Sequence, residues 1–139
     1  MKITNSNRAD GNQFESYLCR RMSDLGWWTH NLAQNKAGQP ADIIAVRNGR
    51  AILVDAKVCS SPRFDLSRVE MNQMGAMTIW KECGNGDAYF AVRFPDETIY
   101  MVPYSMIEEY IGYGRSVMKS EDMRRCQTFW EWMEEIDAN

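Results

Sequence analysis

Apolar residues recur every three or four positions at Phe14, Leu18, Met22 and Leu25, which predicts a helix from about Asn12 to Leu25 docked by one face. Asp10 with Gln13 resembles a capping box at its start, and Gly26 ends it. The period then changes. Trp27 to Leu32 reads as a strand, and two apolar runs, Asp42 to Val46 and Ala51 to Val58, flank Arg47-Asn48-Gly49-Arg50. Asn-Gly between such runs is the strongest short-range hairpin signal. Ser67-Arg68-Val69-Glu70 has the S-x-x-E form of a capping box, after which Val69, Gln73, Met77 and Trp80 share one face of a helix reaching about Glu82. Ala88 to Phe94 and Thr98 to Val102 predict strands around the turn Pro95-Asp96-Glu97. Ser105 to Glu108 opens another helix, closed by Gly112 and Gly114, and Ser120 caps a last one that runs to about Ile136. The order helix, three strands, helix, two strands, helices predicts an α/β sandwich with a central mixed sheet of about five strands flanked by helices.

A length of 139 residues predicts a single domain, 1–139. With 45% hydrophobic and 25% charged residues, the composition excludes disordered and collagen-like chains. Neither a run of about eighteen apolar residues nor a secretory leader pattern is found, so the expectation is a cytoplasmic protein with no membrane partner. Cys19, Cys59, Cys83 and Cys126 lie far apart, and His30 is the one histidine, which excludes a zinc finger and predicts reduced thiols. The net charge of -3 hides an asymmetry, with eleven Lys/Arg against seven acids up to Lys81 and five against twelve beyond it. A basic first part suits a polyanion, and equally an ordinary solvated surface.

Candidate chemistry sits where a buried hairpin should be apolar. Asp55 and Lys57 interrupt the run from Ala51 to Val58, and strand alternation points both to one face. Asp42 opens the partner strand, so the two carboxylates meet near one end of the hairpin. Clustered carboxylates repel, and a cation between them is what best sustains both charges. Oxygen ligands of this kind suit Mg²⁺ or Mn²⁺, which accept phosphate oxygens in their remaining positions. Hydrolysis of a phosphodiester, with Lys57 orienting the attacking water or stabilising developing charge, is the chemistry such a group supports. The alternative is a plain ion pair of Asp55 with Lys57 on an edge strand. Lys36 and Gln34, in the loop before Asp42, suit phosphate contacts or solvation alike. His30 reads as structural or exposed, and the five tryptophans as core more than as base-stacking platforms.

Pro40-Ala41-Asp42, a hairpin-length gap and Asp55-Ala56-Lys57 together resemble the signature of the PD-(D/E)XK nuclease superfamily. Gly11-Asn12-Gln13-Phe14-Glu15 is similar to the glycine-then-glutamate start of Holliday junction resolvases of the archaeal and RecU types. The resemblance implies a restriction-endonuclease-like sandwich, with a nuclease core over about 11–94 and a helical C-terminal part over about 104–136. It also implies that Glu15 helps Asp42 and Asp55 bind metal, and that Gln73 belongs to the site. On the residues alone, Glu15 reads as an exposed helix position. Gln73 lies in an inward stripe, where its amide needs a partner.

The function implied is a Mg²⁺-dependent endonuclease acting on branched DNA, by Holliday junction resolution. The alternatives are a virus-type replication and repair nuclease cutting flaps or other structured DNA, and a non-catalytic DNA-binding module of the same fold. A resolvase cuts two strands of like polarity and one site per chain cuts one, so a two-fold homodimer is expected. Net acidity predicts recognition by junction shape, with a few basic contacts such as Lys36, Arg63 and Arg68.

Overall fold

The computed structural model of the chain describes residues 2–32 and 41–138. A first helix, α1 (Lys2–Asp24), leads through Gly26 into strand β1 (Trp28–Asn31) and the hairpin β2 (Ile43–Arg47) and β3 (Arg50–Val58). Gly26 takes φ +93° and ends α1 as its position predicts, and Asn48 and Gly49, at φ 50° and 78°, make the tight turn that Asn-Gly favours. A short strand, β4 (Arg63–Asp65), and a 3-10 turn over Leu66–Arg68 lead to α2 (Met71–Glu82). Next come β5 (Tyr89–Arg93), β6 (Ile99–Pro103), α3 (Tyr104–Gly112), β7 (Val117–Lys119), α4 (Ser120–Met123), β8 (Gln127–Thr128) and α5 (Phe129–Ala138).

Six strands form the main sheet in the order β1-β2-β3-β5-β6-β8, while β4 and β7 pair apart. All neighbours in the main sheet are antiparallel except β3 and β5, whose parallel pairing requires the crossover that α2 supplies. Side-chain alternation divides the core between the two faces of the sheet. Ile52 and Val54 of β3 join Phe14, Leu18 and Met22 of α1 and Phe129 and Trp132 of α5 on one face. Leu53 of β3 joins Phe90 and Val92 of β5, Met77 of α2 and Ile107 of α3 on the other. Each such fully buried side chain contributes about 1.5–3 kcal/mol, which fixes β3 as the centre of the molecule.

Several boundaries differ from expectation. α1 begins at Lys2 rather than near Asn12, with Asp10 and Gln13 inside it, because its first turns carry no apolar stripe to betray them. The cap of α2 is Glu70, and Ser67 lies in the 3-10 turn, so the S-x-x-E pattern marks the entry to the helix but not its first residue. The single helix expected from Ser120 to Ile136 is broken by β8 into α4 and α5. β4, β7 and β8 are two or three residues long, too short to show an alternating pattern.

Candidate active site

The site forms where β3 outruns β2. Ile43 pairs with Val54, and beyond that register β3 keeps a ladder partner only in β5. Asp42 closes the gap. Its backbone N–H donates to the Val54 carbonyl at 3.1 Å, and its Oδ2 accepts the Ala56 N–H at 2.8 Å, in the place a longer β2 would have filled. The carboxylate is thereby held at the end of the strand, 8% exposed.

Asp55 faces it from the centre of the sheet and is 2% exposed. Its Oδ1 accepts a 3.0 Å hydrogen bond from Nε2 of Gln73, and its Oδ2 lies 3.2 Å from the Lys57 ammonium. That pair is one of charge, because Oδ2 has no aligned hydrogen bond among the described residues. The reading of Asp55 and Lys57 as a surface ion pair on an edge strand is excluded by this burial. Gln73, also buried, spends its amide twice: Oε1 accepts the Glu70 N–H at the start of α2 while Nε2 holds Asp55.

Glu15 reaches the same place from α1, half-buried and within hydrogen-bonding reach of Asp42. Burial, then Asp42, then Asp55 push its pKa up to about 8. Burial raises Asp55 as well, to about 7, with the Lys57 charge opposing and Asp42 reinforcing the shift. Glu15 and Asp55 are thus held towards their neutral forms by burial and by the carboxylates around them. Among the described residues the acidic side chains do not close into a ready-made three-ligand cage. A divalent cation nevertheless fits the donor set, since it would give the buried Asp55 Oδ2 a partner and offset the repulsion with oxygen ligands that suit Mg²⁺ or Mn²⁺.

The sequence-predicted residues Glu15, Asp42, Asp55, Lys57 and Gln73 therefore come together from α1, from the position just before β2, and from β3 and α2. Lys36 and Gln34 lie outside the described residues, as does Pro40. Arg63 and Arg68 are exposed but engaged within the fold: Arg63 Nη2 donates to Asp65 at 2.9 Å, and Arg68 Nη1 donates to the Val58 carbonyl at 2.9 Å. His30 is exposed and stacks on exposed Trp28 at 6.0 Å, whereas Trp27 and Trp132 are buried and stacked at 5.9 Å. Sequence reasoning passed over Arg93, whose place beside the site follows only from the parallel register that pairs it with Val58.

A sheet flanked by helices on both faces, with Asp42 at the head of one strand and Asp-x-Lys on the next, defines a nuclease of the PD-(D/E)XK class. Within that class, the family model described as archaeal Holliday junction resolvase (Hjc) matches residues 6–125, and the chain belongs to this family of junction-resolving endonucleases. The structure is similar to that of Hjc from Archaeoglobus fulgidus, a Holliday junction resolvase from an archaeal hyperthermophile. The TM-score is 0.66 at 16% identity, over 90% of this chain and 96% of that one. A protein of unknown function, AF1548, aligns with a TM-score of 0.41 at 16% identity, over 72% of this chain and 52% of that one. No curated protein matches the sequence. No helix among the described residues is long and apolar enough to cross a membrane.

Proposed function

We propose that the chain resolves four-way DNA junctions by Mg²⁺- or Mn²⁺-dependent phosphodiester hydrolysis at the cluster of Glu15, Asp42, Asp55, Lys57 and Gln73, acting as a homodimer. The observation that carries this reading is the Asp55 carboxylate, buried in the central strand, held on one oxygen by Gln73 and facing the Lys57 ammonium with the other. Asp42 and Asp55 would hold the cation, with Glu15 beside them directly or through water. The ion, when bound, supplies Lewis acidity at the phosphoryl oxygen.

The protein's own groups do the rest. Gln73 fixes the rotamer of Asp55, so one carboxylate oxygen stays aimed into the site. Lys57, half-buried two residues along the same strand face, brings a positive charge to where negative charge develops on the phosphoryl group, which makes it the group that stabilises the transition state. The Ala56 N–H holds Asp42 in place before substrate arrives, so little reorganisation remains for the reaction itself. Two copies related by a two-fold axis would present a matched pair of sites to strands of like polarity.

The test is to incubate the protein with labelled four-way junction, flap, linear duplex and single strand, in Mg²⁺ and in EDTA. Paired nicks in the junction alone, abolished by EDTA and by Asp55→Asn, are expected. Equal cutting of linear duplex and junction would reject junction resolution, and cutting in EDTA would reject the metal. Light scattering of the free protein should return twice the chain mass, and a strict monomer would reject the dimer.

A further inference from the structure

Gly11 stands inside α1, one turn before Glu15, although glycine is a poor helix former. The packing gives no reason for it, because a Cβ built there meets no heavy atom within 4 Å. Its open side lines a cleft of about 610 Å³ together with Ala56, Ser60, Ser61, Arg68 and Arg93. Ala56 is the residue whose N–H grips Asp42, so the cleft abuts the carboxylates.

Among the described residues, Arg93 is the arginine on this cleft with no hydrogen-bond partner inside the fold. Its guanidinium carbon lies 5.3 Å from the centre of the Phe14 ring, which holds it in place, yet among the described residues it makes no hydrogen bond or ion pair. The other two arginines on the cleft are tied, Arg68 to the Val58 carbonyl and Arg63 to Asp65. A half-buried guanidinium seated on an aromatic ring, with its N–H fork unspent and a polar cleft in front, matches the bidentate geometry of a phosphate.

We propose that this cleft seats a DNA phosphate next to the scissile one, with Arg93 as its ligand and Gly11 as the gap through which the strand's backbone passes close to α1. The assignment rests on the junction-nuclease reading above and adds to it a positioning residue and a steric gate. Gly11 and Glu15 are about 6 Å apart along the helix axis and strand charges are spaced about 3.4 Å along a duplex, so the phosphate reached at Gly11 is a near neighbour of the one at the carboxylates. Serine hydroxyls at Ser60 and Ser61 line the same cleft and suit the remaining phosphate oxygens.

Fluorescence anisotropy of a labelled four-way junction in EDTA reads binding with no cleavage, which separates the cleft from the metal site. Arg93→Met keeps an apolar stem over Phe14 and removes the charge. It should bind about tenfold more weakly, with the slope of log affinity against log salt reduced by about one. Gly11→Ala and Gly11→Leu should bind progressively more weakly while melting at or above the wild-type temperature. If the leucine variant melts lower, the alanine variant decides, with an expected loss of about threefold. Unchanged affinity and salt slope in Arg93→Met, or wild-type binding by the folded Gly11 variants, overturns the proposal. If binding changes as expected but wild type cuts no junction in Mg²⁺, the cleft stands and the nuclease reading fails. If wild type cuts and the variants bind as it does, the cleft alone fails.

Discussion

Replacing Asp42 by Asn removes one of three crowded carboxylates while keeping an oxygen to accept the Ala56 N–H, so it isolates what their repulsion costs the metal-free fold. Glu15 and Asp55 have pKa values raised from 4.5 and 3.8 to about 8 and about 7. A carboxyl whose pKa rises on folding favours the folded state fully below its ordinary value, and that contribution is lost as pH climbs through the raised one. Wild type in EDTA should therefore lose stability between about pH 4 and pH 8. Burial is the largest cause for both groups and Asp42 adds to each shift; removing one like charge from such a cluster is worth about 1 kcal/mol. For a chain of this length that corresponds to about 3–5 °C in melting temperature. In thermal unfolding at pH 8 with EDTA, Asp42→Asn should melt higher than wild type by that amount, and at pH 5 the two should converge. Adding Mg²⁺ or Mn²⁺ should then raise wild type and leave the variant unmoved, since only a ligand that binds the folded state stabilises it. A variant that melts below wild type at pH 8, or a gap that does not change with pH, would refute the reasoning.

Lys57→Ala should slow junction cleavage by about a hundredfold or more while the melting temperature stays within a few degrees, and an unfolded variant would make the residue structural instead. Gln73→Leu strands both the Glu70 N–H and Asp55 Oδ1, and urea unfolding should show a loss of about 1–3 kcal/mol together with weaker Mn²⁺ binding by calorimetry. Asp122 accepts from the Tyr110 hydroxyl, the Arg115 guanidinium and the Lys119 N–H. Asp122→Ala should cost about 1–3 kcal/mol in the same unfolding assay and leave the cleavage rate of the folded protein unchanged; a lost rate at full folding would contradict the view that this cluster only holds α3 against α4.

The part of the fold legible in the sequence is the part that obeys a period. Asn48-Gly49 located the β2–β3 hairpin, and with it the meeting of Asp42 and Asp55, because a tight turn leaves a single register. Gln73 could be suspected as a polar residue in an inward stripe, but its partner came only with the crossover that lays α2 over β3. Glu15 was visible through a resemblance alone, since the contact of α1 with the end of β2 is a tertiary fact. The early turns of α1 and the short β4, β7 and β8 left no trace because no hydrophobic period runs through those stretches of sequence. Arg93 escaped for the same kind of reason: a basic residue at a strand end is unremarkable until the parallel register sets it beside Val58.

One amide group joins the helix start to the reactive carboxyl, and that linkage makes the site observable from outside it. The Glu70 N–H donates to Gln73 Oε1, whose own NH₂ donates to Asp55. Polarisation passes along such a chain, so a change of charge on Asp55 alters the electron density at Oε1 and hence the strength of the bond that Glu70 makes. The backbone proton of Glu70 is in that sense a built-in probe. Its chemical shift and its exchange with solvent would track the charge of a buried group two bonds of the network away, without any label placed in the site.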